Sequence, residues 1–164
     1  MPAYVSVMFS LLLAVTLSVT SADAFAQLKH LAGKWSGKTD RGAPIVITYQ
    51  VAAHGSTVVE TQSPGEADEM LTVYSLDGND LVLTHYCPMG PVGNQPHMVL
   101  DRAGSTPGDL RFTFARLANL DPDKDIHLHA GRVRIIDDRH IERQWYVYKD
   151  GKKVATQTFT LERE

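Results

Sequence analysis

The feature that most constrains the fold of this chain is an alternation of apolar and polar residues with a period of two. It runs through short segments rich in Val, Ile, Thr, Tyr and Phe. Successive side chains of a β-strand point to opposite sides, so this period is typical of strands with one buried face. The segments that show it are 45–51, 57–61, 70–76, 81–87, 98–101, 110–117, 126–136, 141–148 and 154–161.

Short turns separate these segments. The sharpest turn signals are residues 77–80 (DGND), 106–109 (TPGD), 137–139 (DDR) and 150–151 (DG). Strands joined in this way form an antiparallel meander, which protects its edges by closing on itself. We therefore predict an all-β fold, an up-and-down meander closed into a barrel of 8–10 strands. A helical period is predicted only for a short turn at 27–31.

The N-terminus carries a pattern typical of secretory signal peptides. Residues 5–19 form an apolar run, and the small-x-small motif Ala24-Phe25-Ala26 follows. The run is short for a membrane span, and no basic stop-transfer segment follows it. We predict a signal peptide at 1–26, one domain at 27–164, a periplasmic or secreted location, and no stable membrane span in the mature chain.

Charge and cysteine content narrow the class of partner. The formal net charge is −3 and the basic residues are scattered, which gives no electrostatic basis for binding nucleic acid. Cys87 is the only cysteine, so an intramolecular disulfide is excluded. A lone cysteine of this kind most often acts as a small buried hydrophobic residue. The sequence leaves the oligomeric state open.

The start of the first strand carries a family resemblance. Gly33-Lys34-Trp35, at the head of an all-β chain of this size, resembles the opening of the calycin group, the lipocalins and their relatives. The whole strand pattern is similar to uncharacterised bacterial secreted lipocalin-like domains. The resemblance implies a barrel closed at one end by the Trp, with a late Arg, here Arg163, covering it, and an apolar or amphipathic ligand. Trp35-Ser36-Gly37 is also similar to nitrobindin-like haem barrels, but residues 38–40 depart from their glycine pattern.

Turn positions predict which residues face each other in the first clear hairpin. With Gly78-Asn79 at the tip, Asp77 faces Asp80. We predict that the face with the larger side chains lines the lumen. The pairs that follow on this face are Tyr74 with Leu83, Thr72 with His85, and Met70 with Cys87.

The same reasoning predicts the register of two later hairpins. A tip at Asp138-Arg139 places Glu142, Gln144 and Tyr146 inside with His129. The outward face then carries Trp145 and three arginines that favour water, Arg132, Arg134 and Arg143. A turn tip at 150–151 in the last hairpin predicts the same inward face of this strand, because it places Gln144 opposite Gln157 and Glu142 opposite Phe159. The predicted ligand-binding residues are Tyr74, Leu83, His85, Cys87, His129, Glu142, Gln144 and Tyr146, with Val133, Ile135 and Phe159 beside them in the lumen.

This mixed lumen favours a bound molecule with a polar head. A buried carboxylate such as that of Glu142 is costly unless it has a partner, so it implies a polar network, ordered water or a polar ligand. The loop 89–97, MGPVGNQPH, adds the amides of Asn94 and Gln95, which contact either a ligand or the loop backbone. We predict a binding protein, with a small molecule as partner and with no catalytic residue, metal ligand or cofactor assigned.

Four alternatives stay open at the level of sequence. The protein could be an enzyme, in which His85, Glu142 and Tyr146 form an acid–base set or Cys87, beside His85, acts as a nucleophile. His127 and His129 share a strand face and are possible metal ligands, with His85 or Glu142 as a third. A His, Cys or Tyr at the lumen mouth is a possible axial ligand for haem. A barrel filled by its own side chains would instead serve as a structural or interaction module.

Overall fold

The computed structural model of the protein describes residues 18–88 and 93–164. It contains one α-helix, one short 3₁₀ turn at Ala53–Gly55 and ten strands within these ranges. The elements are α1 (Ser21–His30), β1 (Gly33–Thr39), β2 (Pro44–Ala52), β3 (Thr57–Gln62), β4 (Met70–Asp77), β5 (Asp80–Tyr86), β6 (Gln95–Leu100), β7 (Asp109–Ala118), β8 (His127–Ile135), β9 (His140–Lys149) and β10 (Lys152–Arg163).

The ten strands form one closed antiparallel barrel. Each strand pairs with its neighbours in sequence, and β1 pairs with β10 to close the ring. The predicted all-β meander is confirmed. Closure pairs both edge strands, which removes the exposed edges that favour aggregation.

The helix α1 covers the end of the barrel at which β1 begins, called here the basal end. Thr20 caps the helix by accepting a hydrogen bond from the backbone N–H of Asp23. Ala24, Phe25 and Leu28 are buried in the barrel core. The sequence predicted only a turn at 27–31, because the helix is short and its earlier residues were assigned to the signal peptide.

The predicted cleavage point after Ala26 lies within α1. A cut there would remove Val19, Ala24 and Phe25 from the core. The apolar run of the predicted signal peptide lies mostly in residues 1–17, outside the described residues. Within the described ranges, no helix is long and apolar enough to cross a membrane.

Trp35 and Arg163 pack together at the basal end, as the family resemblance implies. The indole N–H of Trp35 donates to the carbonyl oxygen of Leu31 at 2.8 Å, and the side chain is fully buried. The guanidinium carbon of Arg163 lies 4.3 Å from the centre of the indole ring. Arg163 also donates to the carbonyl oxygens of His30, Ala32 and Asp138, so it connects β10 with α1 and with the β8–β9 turn.

The predicted register of the β4–β5 hairpin is confirmed. Asp77 faces Asp80, and the pairs Tyr74–Leu83 and Thr72–His85 form as expected. All four members of these two pairs are buried inside the barrel. The ladder ends where Leu71 faces Tyr86, and Cys87 instead forms a bridge with Asn94.

The predicted register of the β8–β9 hairpin is wrong by one residue. Ile135 faces Ile141, not Glu142. The turn is longer than two residues, because the Asp137 carboxylate accepts the backbone N–H groups of Arg139 and His140. A shift of one residue moves every side chain to the other face of a strand.

The predicted β9–β10 register is also wrong, for a different reason. The tip at 150–151 is as expected, and Lys149 faces Lys152. A bulge at Val154 then shifts the pairing by one, so that Trp145 faces Gln157. Both shifts have the same consequence. Arg143 and Trp145 are buried inside the barrel, and the lumen positions predicted for Glu142, Gln144 and Tyr146 are wrong.

Candidate functional site

The open end of the barrel, opposite α1, holds a cleft of about 340 Å³ that we call the mouth cleft. It lies between the β1–β2 turn, the β3–β4 connection and the first part of β10. Ile45, Met70 and Phe159 contribute apolar surface to it, and Gln62 and Gln157 contribute amides. The sequence predicted Phe159 as a lumen residue, and the structure places it in the wall of this cleft.

A buried polar cluster lies one step deeper in the barrel. It consists of Glu60, Thr72, Tyr74, His85, Arg143 and Trp145. On β3, Glu60 lies two residues deeper in the barrel than Gln62, and on β4, Thr72 lies two residues deeper than Met70. Two residues on the same face of a strand are roughly 6–7 Å apart. Trp145 is the direct cross-strand partner of Gln157. The cluster therefore lies directly beneath the mouth cleft.

An ion pair forms the centre of the cluster. Arg143 Nε donates to both carboxylate oxygens of Glu60 at 3.1 Å, and the two side chains are 0% and 1% exposed. The hydroxyl of Tyr74 donates to Glu60 at 2.6 Å and accepts from Arg143 at 3.2 Å. Burial raises the pKa of Tyr74 well above its ordinary value, so the phenol stays protonated and keeps donating. The two charges cancel within a closed network.

His85 and Trp145 flank this ion pair. The His85 ring lies 4.6 Å from the Trp145 ring, and the guanidinium carbon of Arg143 lies 3.5 Å from the centre of that indole. His85 Nδ1 is 2.9 Å from the hydroxyl oxygen of Thr72. Burial, and to a lesser extent the charge of Arg143, lowers the pKa of His85 to about 3, so the imidazole is neutral at pH 7.

Several buried polar atoms around the cluster have no hydrogen-bond partner within the described part of the chain. They are Nε2 of His85, Nε1 of Trp145, Oε1 of Gln62 and the hydroxyl of Tyr49, the cross-strand neighbour of Glu60. Both amide atoms of Asn94, which forms a bridge with Cys87, also lack a partner there. Each such atom costs about 1–3 kcal/mol, and native proteins satisfy nearly all of them. Of the residues that carry these atoms, Gln62 lines the mouth cleft.

Gly131 on β8 makes room for the cluster. A Cβ atom at this position would lie 2.8 Å from Cζ3 of Trp145 and 3.0 Å from Nη1 of Arg143. Real Cβ atoms essentially never approach another heavy atom as closely as 2.8 Å. A glycine inside a strand often marks a close approach of this kind. Gly131 is therefore the sequence signal that could have indicated a large inward residue on β9.

The structure brings together only part of the predicted site. Tyr74, Leu83, His85 and Cys87 are buried inside the barrel. Glu142, Gln144 and Tyr146 lie on the outer face, where the Tyr146 hydroxyl donates to Gln144 and Arg134 pairs with Glu142. The acid–base set of His85, Glu142 and Tyr146 is therefore not assembled. Sequence reasoning missed Glu60, Gln62, Arg143 and Trp145.

The histidine pair of β8 forms a separate cluster. Nε2 of His127 lies 3.0 Å from Nδ1 of His129, so the two rings hydrogen-bond to each other. His129 is stacked between Phe114 and Tyr148, with ring centres 4.5 Å and 4.1 Å away. Across residues 18–88 and 93–164, no three His, Cys, Asp or Glu side chains are arranged to hold a metal ion.

A larger cleft of about 690 Å³ lies at the basal end. Its wall includes Leu31, Trp35 and Arg163. The polar groups of Trp35 and Arg163 already donate to backbone carbonyl oxygens, so they offer a ligand little. The mouth cleft is smaller, but one of its lining side chains, Gln62, has a buried polar atom without a partner within the described residues.

Comparisons with known proteins support the fold alone. No protein-family model matches the chain, and no curated protein matches it. One similar solved structure is a protein of unknown function from the DUF3598 family of Nostoc punctiforme PCC 73102. It aligns with a TM-score of 0.56 and 18% identity over 84% of this chain and 49% of that chain. This chain thus spans about half the length of that neighbour, and the likeness shows a shared barrel fold.

Proposed function

We propose that this protein is a lipocalin-like barrel that binds a small amphipathic molecule in its mouth cleft. The observation that carries the proposal is the position of buried polar atoms without partners beneath a cleft whose wall combines the apolar side chains of Ile45, Met70 and Phe159 with polar groups. The cleft volume of about 340 Å³ falls in the range of small-molecule sites, roughly 300–1,000 Å³. The opposite end is closed by α1, so the mouth is the natural entrance.

The two parts of such a molecule have separate contacts. Its apolar part would lie against Ile45, Met70 and Phe159, where each Å² removed from water contributes about 25 cal/mol. Its polar head would point towards Gln62 and His85, which have open hydrogen-bonding atoms. Deeper in the barrel, the lumen is occupied by the protein's own core side chains, which include Leu81, Leu83, Leu110, Phe112 and Ile141.

Two neighbouring substitutions on β4 test this proposal. Met70 lies in the wall of the mouth cleft, and Leu71 is on the outer face of the same strand. Met70→Trp should fill the cleft, and Leu71→Trp adds the same bulk outside it. Native mass spectrometry of protein isolated from its source should show a bound molecule with the wild type and Leu71→Trp, and loss of it with Met70→Trp. Equal retention by the two variants would show that the cleft is not the site.

A further inference from the structure

We infer that the polar head of the bound molecule is uncharged and both donates and accepts hydrogen bonds, as a primary amide does. This inference rests on the proposed function and concerns the same site. It follows from the chemistry of the atoms left open around the cluster and from the balance of charge beneath the mouth cleft.

The charges beneath the cleft leave no counter-ion for an ionic head. Glu60 and Arg143 neutralise each other, and three further N–H groups of Arg143 donate to Tyr74 and to the carbonyl oxygens of Arg132 and Gln144. An ion brought beside this pair would lose water without gaining an opposite charge. Burying an unpaired charge is far more costly than burying a neutral polar group that finds a partner.

The open atoms are neutral and of both kinds. Trp145 Nε1 can only donate, and Gln62 Oε1 can only accept. The Tyr49 hydroxyl can do both, and neutral His85 can donate or accept at Nε2, according to its bond with Thr72. A head with one acceptor for the indole N–H and one donor for the Gln62 oxygen matches this set. A carboxylate matches only the first requirement, and an ammonium only the second.

Among the described residues that line the cleft, the charged side chains lie at its outer rim. Asp40, Arg41 and Asp68 line it there, and all three are exposed to solvent. Their signs are mixed, so the rim selects neither cations nor anions. An ionic head would remain at this hydrated rim and would leave the buried atoms of His85 and Trp145 without partners.

Three molecules with the same eight-carbon chain test the inference: octanamide, octanoate and octylammonium. The probe signal is the indole N–H resonance of Trp145 in the NMR spectrum of the ¹⁵N-labelled full chain. The indole of Trp35, which is bonded to Leu31 at the basal end, serves as an internal reference. At pH 7, octanamide should shift the Trp145 signal saturably and leave Trp35 in place. Its affinity should exceed that of either ion by at least about tenfold, a difference of about 1.4 kcal/mol.

The outcomes separate the inference from the proposed function. Binding of octanoate or octylammonium at Trp145 as tightly as octanamide would overturn the inference and leave the mouth cleft as the site. A shift confined to Trp35, or no shift with any of the three molecules, would overturn both. The Met70→Trp variant provides the control, because it should lose the octanamide response while Leu71→Trp keeps it.

Discussion

At the scale of single residues, Arg143 organises the open half of the barrel. It pairs with Glu60, contacts Tyr74 and stacks on Trp145, and all four side chains are almost completely buried. A buried ion pair is weak evidence for net stability, but breaking one is costly, because it leaves the other charge without a partner.

Glu60→Gln should therefore be strongly destabilising. The free energy of unfolding, measured by urea denaturation, should fall by about 3–5 kcal/mol. Lys34→Gln breaks an exposed ion pair with Glu164 and should leave the free energy almost unchanged. The double variant Glu60→Gln with Arg143→Met should lose less than the sum of the two single variants. Additive losses would contradict a direct coupling between the two side chains.

His85 should make the protein sensitive to acid. Its pKa is about 3 in the folded state against an ordinary value of 6.5, so below pH 6.5 the unfolded chain binds the proton more readily. The free energy of unfolding should fall by about 2–3 kcal/mol more between pH 7 and pH 4.5 in the wild type than in His85→Asn. Parallel pH profiles for the two proteins would mean that the folded protein protonates His85 as readily as the unfolded chain does, which contradicts the lowered pKa.

Single residues also differ in how far the sequence predicts their position inside or outside the barrel. A two-residue turn predicted that His85 and Cys87 share a face, and the larger side chains of that face predicted that it is the interior one. Arg143 was predicted outside, because an isolated arginine favours water. Its partner Glu60 is 83 positions away in the chain, and nothing local to either residue indicates the pairing.

At the scale of elements, hairpin register decided which predictions were right. The β4–β5 turn is built as its Gly78-Asn79 motif indicates. The β8–β9 turn is lengthened by the carboxylate of Asp137, and β10 contains the bulge at Val154. Both deviations shift the pairing of β9 by one residue in the same direction. The predictions made from the two turns therefore agreed with each other, and both placed the wrong face of β9 inside the barrel.

Gly131→Ala tests the packing of β8 against β9. The added methyl group would collide with Trp145 and Arg143, so either the indole or the strand must move. We expect a loss of about 1–3 kcal/mol in the free energy of unfolding and a displaced indole N–H signal for Trp145, both measured on the same sample. Unchanged stability with an unchanged Trp145 signal would contradict the described orientation of β9.

The helix α1 should be required for full stability. A chain that starts at Gln27 lacks Val19, Ala24 and Phe25, and the loss of Phe25 alone should cost about 1.5–3 kcal/mol. Thermal unfolding should therefore occur at a lower temperature than for a chain that starts at Ser18. Equal melting temperatures would show that α1 adds nothing to the core.

The cleavage of the N-terminus is a separate question with its own measurement. The sequence predicts a cut after Ala26, whereas the burial of α1 leads us to expect that any cut falls before Val19. The intact mass of the protein recovered from its native compartment distinguishes the two positions. A mature chain beginning at Gln27 would show that the barrel functions without the helix.

At the scale of the whole molecule, the barrel has two different ends. The basal end is closed by α1, Trp35 and Arg163, whose polar groups are bonded to the backbone. The open end has a cleft with a mixed apolar and polar wall above a neutral set of buried polar atoms. The sequence predicted the barrel and its Trp-closed end, but the site itself depends on side chains from β3, β5 and β9, which only the closed barrel brings together.

The most direct test of this account is a map of backbone amide shifts in the full chain during titration with octanamide. The account predicts saturable shifts at the mouth, at Ile45, Gln62, Met70 and Phe159, with the basal residues Leu31, Trp35 and Arg163 unchanged. Shifts concentrated at the basal end, in the larger cleft, would contradict the central claim that this barrel binds its ligand at the open mouth.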